Sequence, residues 1–419
     1  MEKIDALPER TRLFHIGIPK SGTTALQMAA SAGRDELFRQ GVLYPGVGIS
    51  QRSAVLSFMG RRWGWDDDGV PGTEHWDRVM AEIEADTTRR VLFGHEFASE
   101  AKRKKATEFV EAIGERCHIL VTLRSIGAIL PSAWQQYVKA GVTLSFDDWL
   151  KAVIGDPPDR TVTKRFHVRN DQGAVVRRWA KAAGADRVTV VVADARRPRF
   201  LLDSVEQLLA LAPGTLADQE TTGYSANRGM TMPEAELFRA VNERIDGHDV
   251  GWDDYERIMR EGAQRRVLEQ EAASGERPAL PLWAAQRAQD LGKHYAEQIA
   301  ATGVQVIGEL GQLAEPVPTR GADDSVETVP IDLAAEALAG ALSASTWRGP
   351  DFDRQDEASA TREAALRRAY VKRRARQYTL RDFVTFAVEF VRAQWQRVRR
   401  GSAREPAADL PASGTDRGR

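Results

Sequence analysis

The chain has 419 residues, 42% of them hydrophobic, which is enough to bury the core of one large domain with an extension, or of two domains. Its single cysteine, Cys117, excludes an intrachain disulfide and favours a reducing compartment. The formal net charge of -1 excludes a basic field along the whole chain, so we expect no nucleic-acid partner.

The amino-terminal segment and the hydropathy of the chain predict its location. The first twelve residues are polar and mixed in charge, unlike a secretion signal. No uncharged run is long enough to cross a bilayer. We therefore predict a cytoplasmic protein.

Short apolar runs alternate with longer helical patterns along most of the chain. Residues 13–18, 91–93, 119–123 and 188–192 are typical of buried strands. Because strands that alternate with helices usually form a parallel sheet with both faces covered, the sequence predicts the α/β class.

A loop rich in small residues joins the first predicted strand to a helix. It contains Pro19, Lys20, Ser21, Gly22, Thr23 and Thr24. Such a loop directs backbone N–H groups and a helix amino terminus at an anion. Its glycines are spaced as in a nucleotide triphosphatase loop, but Thr23 occupies the usual lysine position and the lysine lies earlier, at Lys20.

The hexapeptide Pro-Lys-Ser-Gly-Thr-Thr resembles the 5′-phosphosulfate loop of sulfotransferases that use 3′-phosphoadenosine 5′-phosphosulfate (PAPS), bacterial members in particular. The resemblance implies that residues 19–24 bind the 5′-phosphate and that Lys20 contacts the leaving oxygen. It also implies a P-loop-type, three-layer fold with a central parallel sheet flanked by helices, and no metal.

Two further segments resemble the 3′-phosphate site of that family. Arg124 follows a predicted strand, and Ser132 lies eight residues later in a helical segment. The arginine fork can give two charge-assisted hydrogen bonds to one phosphate, and the hydroxyl adds a third donor. The tripeptide at residues 227–229 resembles a shortened form of the loop that closes over the same phosphate, with Arg228 as the ligand. A surface turn is the alternative there.

The acceptor needs a base, and a histidine followed by a carboxylate ends the second predicted strand. His95 titrates near neutrality without tuning, whereas Glu96 needs burial or neighbouring charges to be an efficient base. Because successive strand residues face opposite ways, we expect one of them to point into the site. We favour His95 and keep Glu96 as the alternative.

A loop at residues 61–68, followed by Trp76, is rich in tryptophan and acidic side chains. Indole faces stack on sugars, so the acceptor class includes glycans and glycolipids as well as small molecules. The alternative is a loop whose tryptophans pack back onto the domain.

The composition changes after residue 315. We predict a catalytic domain over residues 1–315, a linker over 316–330, a helical extension over 331–400 and a disordered tail over 401–419. Residues 378–400 form a basic amphipathic pattern. That pattern fits contact with an anionic membrane surface at the inner face, or docking onto the domain or a second copy.

The sequence thus predicts transfer of a sulfuryl group from PAPS to a hydroxyl or amine, with adenosine 3′,5′-bisphosphate as the other product. A P-loop kinase or triphosphatase is one alternative, and a catalytically silent binding module of the same fold is another. The oligomeric state, including a homo-oligomer, stays open.

Overall fold

One parallel sheet forms the centre of the protein. A computed structural model describes residues 3–61, 72–159, 164–219, 228–245, 250–271, 275–321, 326 and 328–346. Six strands lie in the order β2-β3-β1-β4-β5-β6, and every neighbouring pair is parallel. The strands are β1 (Arg12–His15), β2 (Val42–Leu43), β3 (Arg90–Gly94), β4 (Cys117–Leu123), β5 (Val188–Val192) and β6 (Gln305–Ile307).

Helices connect the strands and cover the sheet. They are α1 (Thr23–Ala32), α2 (Arg34–Arg39), α3 (Arg52–Phe58), α4 (Glu74–Ala85), α5 (Arg103–Ile113), α6 (Ile126–Lys139), α7 (Phe146–Ile154), α8 (Lys164–Asn170), α9 (Gln172–Ala183), α10 (Phe200–Leu208), α11 (Met232–Asn242), α12 (Trp252–Tyr255), α13 (Arg265–Glu269), α14 (Leu282–Ala300) and α15 (Ile331–Thr346). A π-helix spans Glu256–Gln264, and 3₁₀ helices span Glu96–Glu100, Ala185–Arg187 and Leu310–Ala314.

The sheet separates two hydrophobic clusters, as strand alternation requires. Phe14 packs on one face with Phe93, Phe109 and Trp179, while the preceding residue, Leu13, packs on the other. Both faces are buried, so the predicted α/β class with a parallel sheet between helices is confirmed.

Trp76 belongs to this core and not to a sugar-binding surface. It is 4% exposed, and its ring packs edge-on against Phe14 and at a tilt of 39° against the ring of Phe58. The indole therefore contributes apolar burial, the alternative that the sequence left open. Residues 62–71, which hold the other tryptophans of that pattern, lie outside the described residues.

The helix predicted after the linker is present as α15, and it packs against the π-helix. Leu333, Ala337 and Ala341 join the main hydrophobic cluster, and a Cβ at Gly340 would fall 2.4 Å from the carbonyl oxygen of Gly262. Small residues therefore let the two backbones approach closely. Residues 347–419, with the predicted basic amphipathic helix and tail, lie outside the described residues. The described helices include none with the length and hydropathy of a membrane span.

Candidate active site

Three loops that the sequence singled out meet at the carboxyl edge of the sheet. Strand β1 lies between β3 and β4, so the segments that follow these strands are neighbours. In open α/β sheets, ligands bind at this edge, where the strand order reverses. The Nη1 atom of Arg124 lies 3.5 Å from the carbonyl oxygen of Lys20 and donates to it. The two predicted phosphate loops are thus in contact.

The loop after β1 makes a tight turn that contains two residues with left-handed backbone conformation. Lys20 has φ 69° and Gly22 has φ 98°, both left-handed, and Gly22 caps α1 without a side-chain hydrogen bond. Helix α1 has no acidic residue in its first turn. Its first N–H groups therefore keep their capacity to bind an anion, and its dipole favours one there.

A buried polar cluster supports the loop from below. The Ser21 hydroxyl donates to the carbonyl of Ile18 at 2.6 Å and lies 2.7 Å from Thr122 Oγ1, which is 3.3 Å from His15 Nε2. A Cβ at Gly17 would fall 1.8 Å from Thr122 Oγ1, so only glycine fits beside this cluster. Burial lowers the pKa of His15 to about 4, so its imidazole is neutral at pH 7. His15 is a core histidine whose partner is the Thr122 side chain.

His95 and Glu96 lie together at the end of β3. The backbone N–H of Phe97 donates to His95 Nδ1 at 3.3 Å, and His95 Nε2 is 3.3 Å from Glu96 Oε2. With Nδ1 acting as an acceptor, neutral His95 carries its proton on Nε2 and donates it to the carboxylate. Both ring nitrogens are then engaged within the protein.

Glu96 is the better placed of the two to meet an acceptor. Its side chain is 18% exposed, against 7% for His95, and its Oε2 also accepts from Gln27 Nε2 at 3.0 Å. Burial acts to raise the pKa of Glu96, but His95 and the Gln27 hydrogen bond outweigh it and leave the pKa below its ordinary value. Burial lowers the pKa of His95, against the opposing effect of Glu96. At pH 7 the pair is an ionised carboxylate and a neutral imidazole.

Lys20 belongs to a group of cations that extends beyond the predicted motifs. Burial lowers the pKa of Lys20, while the charge of Glu96 opposes this effect. Burial and, to a smaller extent, the positive charges of Lys20, Arg260 and Arg228 together lower the pKa of Lys139 to about 8. Repulsion among these groups would be relieved by an anion placed between them.

Lys139 and Arg260 were missed by sequence reasoning because no local motif marks them. Lys139 ends α6, and Arg260 lies in the π-helix. π-Helical turns occur frequently at functional sites, but a single sequence carries no signature for them.

The Arg124 and Ser132 pair is held by the start of α6. Gln172 Nε2 donates to the carbonyl of Arg124 at 2.7 Å, which fixes the backbone, and burial lowers the pKa of the half-buried guanidinium. The hydroxyl of Ser132 donates to Ile129 O at 3.0 Å within its own helix. A hydroxyl can rotate from such a bond toward a better acceptor.

Arg228 is engaged within the protein. Its Nη1 and Nη2 donate to the two carboxylate oxygens of Glu234 at 2.7 and 2.8 Å, and Nη2 also donates to the carbonyl of Val267 at 3.0 Å. Nε donates to the carbonyl of Gln270 at 3.2 Å. These contacts describe a structural ion pair that supports α11, and binding of a phosphate by Arg228 stays a prediction.

Metal ligation has no obvious site in the described part of the chain. Within these ranges, no group of three or more His, Cys, Asp or Glu side chains could hold a metal ion. The donors at the carboxyl edge are N–H groups and cations, which are suited to anions.

Comparisons with known proteins add one structural similarity. No protein-family model and no curated protein matches the chain. The chain is similar to the crystal structure of a sulfotransferase from Alicyclobacillus acidocaldarius, with 18% identity and a TM-score of 0.34 over 55% of this chain and 92% of that one. A likeness at this level carries no argument about function, which has to come from the residues described above.

Proposed function

We propose that this protein is a sulfotransferase that uses PAPS as the sulfuryl donor and a hydroxyl or amine as the acceptor. The observation that carries the proposal is the contact between Arg124 and the Lys20 carbonyl, which joins two anion-binding loops on neighbouring strands. PAPS carries phosphates at both ends of its ribose, and two adjacent loops of this kind suit them.

The residues present fit such a ligand. The loop of residues 19–24 offers backbone donors and the amino terminus of α1 to the 5′-phosphate, and Arg124 and Ser132 offer the donors for the 3′-phosphate. Lys20 and Lys139 supply positive charge at the reaction centre. This donor set has no need of a metal, because cationic side chains take its place beside the charged oxygens.

The proposed reaction is an in-line displacement at sulfur. The acceptor oxygen or nitrogen forms a bond to sulfur while the bond between sulfur and the 5′-phosphate oxygen breaks, and the electron pair stays on that oxygen. The ammonium of Lys20 stabilises the charge that develops there. The acceptor's proton passes to Glu96, which His95 and Gln27 hold in place. Because such transition states are loose, positioning and charge stabilisation dominate the rate.

A nucleotide triphosphatase is the alternative that the strand–loop–helix unit also permits. In that class the lysine that reaches the β- and γ-phosphates lies where Thr23 lies here. The Arg124 loop would also have no phosphate to bind in an ATP complex. The sulfotransferase is therefore the better supported function.

Ligand-dependent thermal unfolding separates these functions. Adenosine 3′,5′-bisphosphate at 100 times its Kd should stabilise the protein by about 2.7 kcal/mol, and ATP with magnesium should have little effect. Transfer of ³⁵S from PAPS to components of a cell extract then tests catalysis. Stabilisation by ATP with magnesium alone would contradict the proposal, and stabilisation by the bisphosphate with no transfer would indicate a silent binding module.

A further inference from the structure

A second cluster of charged side chains lies beside the ring of Phe97. Glu100, at the end of the 3₁₀ helix, forms ion pairs with Arg61 and Arg169. Its side chain is 4% exposed, whereas those of Arg61 and Arg169 are 23% and 17% exposed. The carboxylate is thus the buried part of the cluster, and the two arginines extend from it toward solvent.

Arg165, an exposed residue of helix α8, lies within electrostatic range of Arg61, Glu100 and Arg169. Burial lowers the pKa of its guanidinium, the charges of Arg61 and Arg169 lower it further, and Glu100 opposes this. Among the residues that the structure describes, no hydrogen bond or ion pair engages Arg165. The arginines therefore outnumber the carboxylate within the described ranges, and the cluster carries an excess of positive charge.

Polar groups of these residues and of residues near them also lack partners. The hydroxyls of Ser99 and Tyr137 and the Nε atom of Arg169 are buried without a hydrogen-bond partner among the described residues. The charges of Arg169, Glu100 and Arg165 all act on Tyr137, so its hydroxyl faces the cluster. Buried polar groups without partners cost free energy, and a bound ligand would satisfy them.

The cluster is close to the reaction centre. The His95 ring centroid lies 4.7 Å from that of Phe97, and the Arg169 guanidinium carbon lies 5.9 Å from the same Phe97 ring. The Phe97 ring therefore contacts both the imidazole of His95 and the guanidinium of Arg169. Glu96 and Glu100 begin and end the same 3₁₀ helix, so the proposed base and the cluster are neighbours along the chain.

We propose that Arg61, Arg165 and Arg169 form a subsite for an anionic group of the acceptor, which extends the sulfotransferase function proposed above. The acceptor is then a molecule that carries a carboxylate, phosphate ester or sulfate ester beside the hydroxyl or amine that is sulfated. The guanidinium fork matches these groups because it gives two parallel hydrogen bonds to a pair of oxygens. The Ser99 and Tyr137 hydroxyls add neutral donors.

Fractionated acceptors test this subsite. A metabolite and glycan extract of the source cells is separated by anion exchange into a neutral pool and an anionic pool, and each is incubated with ³⁵S-labelled PAPS. We expect label in the anionic pool. Arg165→Gln should reduce the rate at limiting acceptor at least about 10-fold, as expected for a lost hydrogen bond to a charged group, and Arg165→Lys should retain part of it. The control Arg116→Gln changes an exposed arginine at the opposite edge of the sheet and should match the wild type.

Label confined to the neutral pool, or equal rates for Arg165→Gln and the wild type, would overturn the subsite and leave the sulfotransferase function intact. Label in neither pool would contradict that function itself, and the subsite with it.

A binding measurement avoids dependence on turnover. Protein saturated with adenosine 3′,5′-bisphosphate is titrated with sodium sulfate, and with sodium chloride at equal ionic strength, and its Tm is followed. Sulfate stabilises proteins in general, so the readout is the difference between variants. The increase in Tm should be smaller for Arg165→Gln than for Arg116→Gln. Equal increases would overturn the subsite.

Discussion

Arg124 and Arg228 lie in surroundings that differ in one decisive respect. The fully buried carboxylate of Glu234 accepts hydrogen bonds from Nη1 and Nη2 of Arg228. Main-chain carbonyl oxygens accept further hydrogen bonds from the same guanidinium. Arg124 makes one contact of 3.5 Å with a carbonyl oxygen, and no ion pair engages it in the part of the chain that the structure describes. The guanidinium of Arg228 is thus engaged within the protein, whereas that of Arg124 has few partners among the described residues, and we expect it to bind a ligand.

The difference shows what a short motif can and cannot establish. Both arginines were predicted as ligands of the same phosphate from a few neighbouring residues. The Arg124 motif ends a strand next to β1, so the sheet itself brings it to the Lys20 loop. The Arg228 motif has no such anchor, and a carboxylate six residues later pairs with it.

Replacing Lys20 should give the largest effect. Lys20→Ala removes the cation beside the leaving oxygen, and we expect transfer from PAPS to slow by about 100- to 1000-fold, the usual range for one transition-state donor. Bisphosphate affinity should fall far less, because the backbone donors of the loop remain. The control Lys181→Ala, at an exposed position on α9, should match the wild type. Wild-type turnover in Lys20→Ala would remove the lysine from the mechanism.

Replacing Arg228 should affect folding. Arg228→Ala leaves the buried carboxylate of Glu234 without its cation, and we expect the free energy of unfolding in urea to fall by about 3 kcal/mol. Affinity for the bisphosphate, measured by calorimetry at a temperature where the variant is folded, should stay within about 3-fold of the wild type, which is less than one lost phosphate hydrogen bond costs. A stable variant with greatly weakened affinity would reverse the assignment.

Replacing Arg124, in contrast to Arg228, should affect nucleotide binding. Arg124→Ala should weaken binding of adenosine 3′,5′-bisphosphate by about 10- to 100-fold, the cost of losing hydrogen bonds between charged groups. Binding of AMP, which lacks the 3′-phosphate, should be unchanged between variant and wild type. Equal losses of affinity for both nucleotides would show that Arg124 does not bind the 3′-phosphate.

The buried histidine beneath the loop should contribute a smaller, pH-dependent effect. The pKa of His15 is about 4 in the folded protein, so the unfolded chain binds a proton that the folded one does not as pH falls below 6.5. Stability should therefore decrease on acidification, by about 1 kcal/mol between pH 6.5 and 5.5 for this residue. Urea unfolding of His15→Gln across this interval should show a correspondingly smaller decrease. An identical pH dependence would show that His15 does not contribute to it.

Much of the sheet could be predicted from the sequence because its central strands are long apolar runs. The strands at residues 13–18, 91–93, 119–123 and 188–192 were identified, whereas the edge strands β2 and β6 were not. Strand β2 has two residues, and β6 has three with only Ile307 buried. Such segments are too short for periodicity to distinguish them from loops.

Local chemistry marks part of the candidate site in the sequence, whereas the tertiary structure assembles the rest. The loop of residues 19–24 and the pair His95 and Glu96 follow predicted strands, and the sheet order brings them together. The preference between His95 and Glu96 depends on the Phe97 N–H that engages the imidazole, which depends on the 3₁₀ turn. Lys139, Arg260 and Arg165 lie on helices that are distant from one another in sequence, so no local motif marks them.

A crystal structure of the complex with adenosine 3′,5′-bisphosphate would test the central claim most directly. We predict one nucleotide across the carboxyl edge of the sheet, with its 5′-phosphate on the backbone N–H groups of residues 21–24 and its 3′-phosphate on the guanidinium of Arg124. A nucleotide bound elsewhere, or one whose 3′-phosphate does not touch Arg124, would contradict it.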